Sequence, residues 1–371
     1  ENAGLTQEQK MVLKKLYRSF VKNGIALGEA EQARMREINM ELSSLSNTFG
    51  NHLLAENNAF AEEFGVTISE YAGAMATTED RTLREKMFKA YSSRGNNGNE
   101  NDNKELIMKM MALRIEKAKL LGYDNPAQMI LADKMAGTPE AVDVFLADIM
   151  APAVAKAEAE IVDMQAVMDE DIKASVLAEG SVIEPWDWAY YAEKVRKAKY
   201  ALDEEQTKPY FKMENVREGV FNTAHKLFGL NFEQLDSIPV YHPDVEGFKV
   251  TDADGSLIGV LLTDYFPRST KRGGAWMTNF INQEVIEGED IRPVIVNVGN
   301  FAKPTADKPS LLTLDQVETM FHEFGHALHG LLSQCTYKSV SGTSVARDFV
   351  ELPSQIMENW AFQKEVLKEY A

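Results

Sequence analysis

The sequence predicts a mainly α-helical protein with a small β-sheet embedded in its second half. In the first half, apolar residues recur at steps of three and four, which is the period of a helix buried along one face. From about residue 237 onward, β-branched and aromatic residues become dense and are separated by turn signals, a texture typical of short strands. The 371 residues exceed the usual size of one hydrophobic core, so we expect at least two lobes or one large multi-lobed domain.

Amphipathic helices account for most of the first half. Residues 104–121 form one apolar stripe, which ends at Gly122, a residue type that favours the end of a helix. Thr138 and Pro139 are a cap and a first-turn residue of another helix, which an alanine-rich run continues. A further stripe consists of Met35, Ile38, Leu42, Leu45, Phe49 and Leu53. These patterns predict a helical region over residues 1–184.

A sheet of about three to five strands is predicted after residue 237. Two short strands flank the turn DADG at 252–255. The stretch 292–301 is a third candidate, and 337–345 is a fourth. We expect residues 293–300 to form an edge strand along which an extended ligand could bind by backbone hydrogen bonds.

Composition excludes several classes of protein. A net charge of −18 argues against nucleic-acid binding, which needs a basic surface. No apolar stretch approaches the roughly 20 residues of a membrane helix. The single cysteine, Cys335, cannot form an internal disulfide, which favours a reducing compartment, so we expect a cytoplasmic protein. Because the chain starts at Glu1 and stops within a helical pattern, we also expect it to be part of a longer protein.

One helix in the second half is defined by its start signal and its apolar stripe. Thr313 and Gln316 form a capping box, in which each side chain binds the backbone of the other residue. The buried stripe that follows consists of Val317, Met320, Phe321, Phe324, Leu328 and Leu331. The sequence therefore predicts a core helix over about 314–333.

The sequence HEFGH lies on this helix and has the chemistry of a zinc site. His322 and His326 are one turn apart on the same face, so two imidazoles can bind one tetrahedral ion. Glu323 is displaced by about 100° and can act as a general base without occupying a ligand position. Gly325 removes a side chain and allows another element to pack closely. The alternative is an ordinary helix that carries two histidines by chance.

A catalytic zinc ion needs a third protein ligand and an open position. Three acids follow the helix: Asp348, Glu351 and Glu358. Pro353 fits best near the start of a helix, which places Glu351 on or just before a first turn. One of these acids could bind the metal and another could accept a hydrogen bond from a ligand histidine. Ordinary acids on a solvated helix face are the alternative, and the residues alone leave the choice of ligand open.

His329 lies on the same face as the two histidines of HEFGH. It is roughly 10 Å along the helix axis from His322, at 1.5 Å per residue. The two cannot share one small ion, so we interpret His329 as a structural residue or as part of the lining beside the site.

These stretches resemble the thimet oligopeptidase-like zinc metallopeptidases. FHEFGHALHG at 321–330, followed by ARDFVELPSQIMENW at 346–360, is similar to that family, and so are 185–204, 240–268 and 293–304. KRGGAW at 271–276 is more similar to the dipeptidyl carboxypeptidase (peptidyl-dipeptidase) branch than to the endo-acting branch.

The resemblance implies a zincin-like, multi-helix ellipsoid with a deep channel, one zinc ion on its floor and short peptide substrates. Residues 1–184 would form part of an N-terminal lobe and the channel wall, and residues 185–371 the zinc-binding catalytic region. His322, His326 and Glu351 match the family's metal ligands, and Glu323 matches its general base. Asp348, Glu358 and His329 are then expected beside the ligands rather than among them.

The implied reaction is zinc-dependent hydrolysis of oligopeptides that releases C-terminal dipeptides. Lys271 and Arg272, next to Gly273 and Gly274, are our candidates for holding the free carboxylate of such a substrate, unless they are surface charges on a loop. An endo-acting oligopeptidase of the same family is one alternative. Another is a zinc-binding piece without activity, because the family's C-terminal loop with Tyr and His over the site is not in this sequence. The oligomeric state is not predicted.

Overall fold

The computed structural model describes residues 4–68, 70–200, 204–268 and 270–371. The chain forms two compact units. One unit comprises Glu1–Arg18 with Asp203–Ala371, and the other comprises Ser19–Leu202. The predicted functional division into 1–184 and 185–371 stays a prediction. Residues 1–3, 69, 201–203 and 269 of these two regions lie outside the described residues.

The described residues up to 200 are mainly helical, as predicted. Thr138 caps its helix by accepting a hydrogen bond from the Ala141 amide at 3.2 Å, and Pro139 is the first helical residue. The helices in this part of the chain are α1 Gln7–Lys22, α2 Glu29–Phe64, α3 Tyr71–Thr77, α4 Arg81–Ser92, α5 Lys104–Leu120, α6 Pro126–Leu131, α7 Pro139–Lys173 and α8 Trp188–Tyr200.

A buried ion pair ties together the helical unit. Asp187 has no exposed surface, and Arg84 on α4 is 1% exposed. An Nη of Arg84 lies 2.8 Å from one oxygen of Asp187, and Arg81 binds the other oxygen at 2.7 Å. Because a buried carboxylate without partners would be costly, these arginines fix the start of α4 against the segment before α8.

The second unit contains the sheet and the remaining helices. Its elements are α9 Glu204–Thr207, a 3-10 turn Lys208–Tyr210, α10 Met213–Phe228, β1 Asn231–Gln234, β2 Glu246–Thr251, β3 Leu257–Asp264, β4 Trp276–Ile281, β5 Glu284–Ile286, β6 Glu289–Ile291, β7 Val294–Val298, α11 Leu314–Leu331, a 3-10 turn Lys338–Val340, α12 Glu351–Ala361 and α13 Lys364–Tyr370.

Five strands form one mixed sheet in the order β1-β2-β3-β7-β4, and β5 and β6 form a separate hairpin. The strand β7 runs parallel to β3 and antiparallel to β4, so it is an interior strand. The expectation that 293–300 would be an edge strand is therefore wrong, and β4 is the edge on that side. The predicted strand at 337–345 is also wrong: this stretch is a 3-10 turn and a loop in which Gly342 adopts φ +51.

The helix α11 packs on one face of this sheet. Its capping box is confirmed, with Thr313 Oγ1 accepting from the Gln316 amide at 3.2 Å and Gln316 Oε1 accepting from the Thr313 amide at 3.0 Å. All six residues of its predicted apolar stripe are 4% exposed or less. At Gly330 an added Cβ would lie 2.7 Å from Ile295 Cδ1, so this glycine lets α11 approach the sheet closely. The helix is a core element, as its sequence predicts.

Among the described residues, no helix combines enough length with enough apolar sequence to span a membrane.

Candidate metal centre

Two imidazoles face the same side of α11. The ring centroids of His322 and His326 are 5.0 Å apart, and the rings are nearly perpendicular, at 84°. This is the arrangement expected of residues four positions apart on a helix. The helix therefore presents two nitrogen ligands to one point in space.

The first residue of α12 brings a carboxylate to that point. Glu351 Oε2 lies 3.1 Å from His326 Nε2 and 3.3 Å from His322 Nε2. Ser354, one turn later and fully buried, donates from its hydroxyl to Glu351 Oε2 at 3.0 Å and so orients the carboxylate. Among the described residues, this is the group of histidines, cysteines and acids whose ligand atoms converge within 4.8 Å.

A glycine makes the approach of the two helices possible. A Cβ at Gly325 would lie 2.5 Å from Ser354 Cα and 2.6 Å from the Pro353 carbonyl oxygen. Both of these contacts are with backbone, which cannot turn aside as a flexible side chain would. The α12 backbone therefore rests directly on α11 at the turn that carries both histidines.

The three donors fit a zinc ion. Two imidazole nitrogens and a carboxylate oxygen are the ligand types of catalytic zinc, and three protein ligands leave one position open. Ligands about 2.0 Å from a tetrahedral ion stand about 3.3 Å apart. The distances of 3.1 and 3.3 Å from Glu351 Oε2 to the two Nε2 atoms match that spacing. Burial lowers the pKa of His326, which favours the neutral imidazole that binds a metal.

Another acid on α12 holds the ring of His322. Glu358 Oε1 accepts a hydrogen bond from His322 Nδ1 at 2.5 Å. This contact fixes the tautomer, so the Nε2 atom that faces Glu351 carries the lone pair. A carboxylate in contact with the far nitrogen of a ligand histidine is a common arrangement in metal sites.

The carboxyl group of Glu323 is largely buried next to the histidines. The residue is 9% exposed, and its Oε2 has no hydrogen-bond partner among the described residues. Burial raises the pKa of Glu323 to about 7; the nearby His322 opposes this rise and the charge on Glu351 adds to it. A carboxyl group in this range can accept and release a proton near neutral pH.

Comparison with known proteins identifies the family of the chain. The model of the family described as "Peptidase family M3" matches residues 74–371. The chain belongs to peptidase family M3. It is 39% identical over 404 residues to the dipeptidyl carboxypeptidase of Escherichia coli, covering 100% of this chain and 58% of that protein. It is 35% identical over 402 residues to oligopeptidase A of the same species, covering 98% and 58%.

A plant relative matches the chain over a similar share of its own length. The chain is 33% identical over 418 residues to the organellar oligopeptidase A of Arabidopsis thaliana, covering 100% of this chain and 52% of that protein. The M3 chain thus spans a little over half the length of the curated relatives it matches.

Asp348 and His329, which were also predicted near the site, lie outside the group of converging ligand atoms. Asp348 is exposed in the turn before α12 and is not part of the converging group. His329 packs against the ring of Phe349, with ring centroids 6.3 Å apart. It lines an apolar cavity of about 560 Å³ with Leu328 and Met357, among others, and burial lowers its pKa. In this M3 chain His329 is partly buried and is not part of the converging group.

The structure contradicts the expectation that Lys271 presents its charge to a ligand. Its side chain is 2% exposed and donates to Asp264 Oδ1 at 3.0 Å and to the carbonyls of Asp264 and Phe266. The physical reason is Asp264 itself, a buried carboxylate that requires cations around it. Arg268 supplies a second cation at 2.8 Å. The spacing of residues along the chain gave no sign of this cluster.

Arg272 and the two glycines remain on the surface. Arg272, Gly273 and Gly274 are exposed, and Asn300 fixes their loop by donating to the carbonyls of Arg272 at 2.9 Å and Gly274 at 2.6 Å. This M3 chain therefore offers one cation of the predicted pair to solvent.

Two residues of the site were missed by sequence reasoning. Ser354 orients Glu351, and the only signal for it is a serine three positions after an acid at the start of a helix. Asn297 on β7 donates to the carbonyl of Glu323, and an asparagine within a strand pattern gave no signal that it faces α11.

Proposed function

We propose that this chain carries the zinc centre of a peptidase that hydrolyses oligopeptides. His322, His326 and Glu351 hold one zinc ion, and Glu323 is the general base. The observation that carries the proposal is the convergence of three ligand atoms, from two helices, beside a buried carboxyl group. Membership of peptidase family M3 supports it.

The chain's own residues divide the work of hydrolysis. A zinc ion held by the three ligands would polarise the scissile carbonyl and make the attacking water more acidic. Glu323 accepts a proton from that water at its carboxylate and then delivers it to the leaving amine. Glu358 keeps the His322 ring in one orientation throughout. Burial raises the pKa of Glu323 above its ordinary value, which favours proton uptake by this carboxyl group.

We place the peptide along the edge strand β4. An edge strand has unpaired backbone groups on one side, which can bind an extended peptide with little dependence on its side chains. On its other side β4 pairs with β7, whose Asn297 contacts the helix of the metal centre. This assignment replaces the interior strand at 293–300. Short peptides of varied sequence are the substrates we expect.

The release of C-terminal dipeptides is the specific mode that we favour. Relatives of this chain carry both names, dipeptidyl carboxypeptidase and oligopeptidase A. Removing a dipeptide requires a cation for the free carboxylate. Arg272 is exposed on a loop pinned by Asn300, which suits that role, whereas Lys271 is engaged with Asp264. An endo-acting oligopeptidase is the alternative.

A pair of peptides separates these two modes. The complete protein that contains this chain should cleave a peptide with a free C-terminus at least tenfold faster than the same peptide with an amidated C-terminus. Arg272→Ala should raise KM for the free peptide and leave the amidated peptide unaffected. Equal cleavage of both peptides by the wild type would favour the endo-acting alternative.

A second candidate function, for the chain on its own, is to bind zinc without hydrolysing peptides. It is favoured by the observation that the chain spans 58% of its bacterial relatives. Hydrolysis by this chain and by the complete protein should therefore be compared at equal zinc content. Zinc in both with turnover only in the complete protein would establish this second candidate.

The central test uses two substitutions at the site. Glu323→Gln should keep one zinc ion per chain and lose about 1000-fold or more of kcat, because the proton acceptor is absent. His322→Ala should lose the zinc ion itself. If the wild type contains no more zinc than His322→Ala, the proposed metal centre is wrong.

We expect the protein to act in the cytoplasm, where its one cysteine would remain reduced.

A further inference from the structure

A polar position interrupts the apolar face that the sheet turns toward α11. Leu261 on β3, Ile295 on β7 and the partly buried Met277 on β4 all belong to the core packed around α11. Asn297 stands on the same side of β7 as Ile295, two residues on, and is 1% exposed. Its register partner on β3, Thr263, is also 1% exposed. The sheet therefore buries two polar side chains under the turn of α11 that bears the site.

One of these side chains bonds to the segment that carries the general base. Asn297 Nδ2 donates to the backbone carbonyl of Glu323 at 2.7 Å, and the bond is buried. The Asn297 Oδ1 has no protein partner among the described residues, and neither has Thr263 Oγ1. Asn297 is thus buried with its hydrogen-bonding capacity only half used, which costs stability.

The fold itself does not require this bond. A carbonyl in the middle of an α-helix already accepts from the amide four residues later, which for Glu323 is that of Ala327. A leucine of similar volume at position 297 would extend the apolar face of Leu261 and Ile295. A half-satisfied asparagine in its place therefore indicates a purpose other than stability.

We propose that Asn297 is a positioning residue for Glu323. It ties the backbone of the general base to β7, and so sets the point from which the carboxyl group reaches toward the metal ligands. Glu323 Oε2 has no hydrogen-bond partner among the described residues, so its position depends on this backbone anchor. A misplacement of about 1 Å at a reacting group costs about 100-fold in rate. This inference rests on the proposed role of Glu323.

Asn297→Leu in the complete protein tests the inference. The melting temperature should stay unchanged or rise, and the zinc affinity, measured by competition with a chelator, should stay within about twofold of the wild type. The kcat should fall about 10- to 100-fold while KM stays unchanged, since only the placement of the base is altered. In a Glu323→Gln background the same substitution should cause no further loss, because Asn297 acts through Glu323.

A second readout does not depend on activity. In the metal-free protein, the amide of Ala327 should exchange its hydrogen severalfold faster in Asn297→Leu than in the wild type, because its acceptor carbonyl is no longer anchored. The amide of Val317, nearly three turns before Ala327 on α11, should exchange at the wild-type rate. Thr263→Val is the matched control, since it removes the register partner without touching Glu323, and its kcat should equal that of the wild type.

The outcomes separate this inference from the proposed function. A wild-type kcat in Asn297→Leu, or a loss matched by Thr263→Val, would overturn the positioning role. If Glu323→Gln retains wild-type turnover, the proposed function fails. If, in addition, the Ala327 amide exchanges at the same rate in Asn297→Leu and in the wild type, the backbone anchor by Asn297 is overturned as well. Should Asn297→Leu not fold, Asn297→Ala removes the same donor without added bulk or charge, and its kcat is expected to fall likewise.

Discussion

At the scale of single residues, His322 is held between two carboxylates. Its Nε2 faces Glu351 at 3.3 Å, and its Nδ1 bonds to Glu358 at 2.5 Å. The first contact places the ring where a ligand must be, and the second sets which nitrogen carries the proton. The orientation of this proposed ligand therefore depends on Glu358, which lies outside the group of converging ligand atoms.

Removing that support should weaken metal binding without removing a ligand. Glu358→Ala leaves the His322 ring without its partner, so we expect zinc affinity to fall about 10- to 100-fold. Glu358→Gln keeps an oxygen that can accept from Nδ1 and should lose less. Competition with a chelator, monitored by zinc release, measures both. The exposed acid Glu365 on α13 supplies the control, since Glu365→Gln should bind zinc as the wild type does.

The residues of this site differ in how far the sequence could predict them. His322, Glu323 and His326 lie on one helix, so their relation follows from 3.6 residues per turn. Glu351 lies on another helix, and its distance depends on how α12 crosses α11, which no local pattern encodes. The residues alone therefore left Asp348, Glu351 and Glu358 open, and the family resemblance selected Glu351. Lys271 was misjudged because its partner Asp264 is buried by tertiary packing.

At the scale of elements, the site depends on the contact between α11 and α12. Gly325 faces Pro353 and Ser354 directly, so the two helices touch backbone to backbone beside the ligands. Glu351 is the first residue of α12, and any shift of that helix moves the third ligand. The spacing of the helices is thus a condition for the proposed metal binding.

A methyl group at this contact should lower both the stability of the fold and the affinity for zinc. Gly→Ala inside a helix usually stabilises by about 0.5–1 kcal/mol. For Gly325→Ala we expect the opposite, a loss of about 1–3 kcal/mol, because the new Cβ would overlap two backbone atoms. Zinc affinity should fall as α12 is displaced. Chemical denaturation with and without zinc measures both effects.

A matched control for this substitution lies on α2. At Gly50 an added Cβ would have nothing within 4 Å, so Gly50→Ala should show the ordinary stabilisation and bind zinc normally. Equal effects of the two substitutions would mean that the contact at Gly325 does not limit the approach of α12.

The elements themselves were predictable to different degrees. Helix α11 was predicted within two residues at its end, because its capping box and apolar stripe are local signals. The hairpin β2–β3 was predicted from its turn at 252–255. The place of β7 inside the sheet was not, because strand order results from long-range pairing with β3 and β4. Residues 337–345 have strand-like composition, yet Gly342 at φ +51 interrupts any extended segment.

At the scale of the whole molecule, each unit contains a buried carboxylate held by two cations. In the helical unit Asp187 is bound by Arg81 and Arg84. In the other unit Asp264 is bound by Arg268 and Lys271. Neither cluster was visible in the sequence, because the partners come together only through folding, and in the helical unit they lie more than 100 residues apart. Each unit should therefore lose stability when its carboxylate is protonated.

The pH dependence of the helical unit tests this for Asp187. Burial by itself raises the pKa of Asp187, but the hydrogen bonds from Arg81 and Arg84 outweigh it and hold the pKa below its ordinary value of 3.8. A carboxyl group whose folded pKa is lowered stabilises the fold above its unfolded pKa, and this contribution disappears as the pH falls through the folded pKa. We therefore expect full stabilisation at pH 7 and a progressive loss below about pH 4.

Asp187→Asn should expose this contribution directly. At pH 7 the substitution leaves Arg84 buried without its counter-charge, and we expect it to destabilise the unit by about 3–5 kcal/mol. The difference from the wild type should shrink as the pH falls below 4, because the wild type then loses the same charge. Hydrogen exchange of α4 amides at a series of pH values measures it. Asp163→Asn, which breaks an exposed pair with Lys199, should change stability by less than about 1 kcal/mol at any pH. A difference at Asp187 that stays constant with pH would mean that its ionisation does not stabilise the fold.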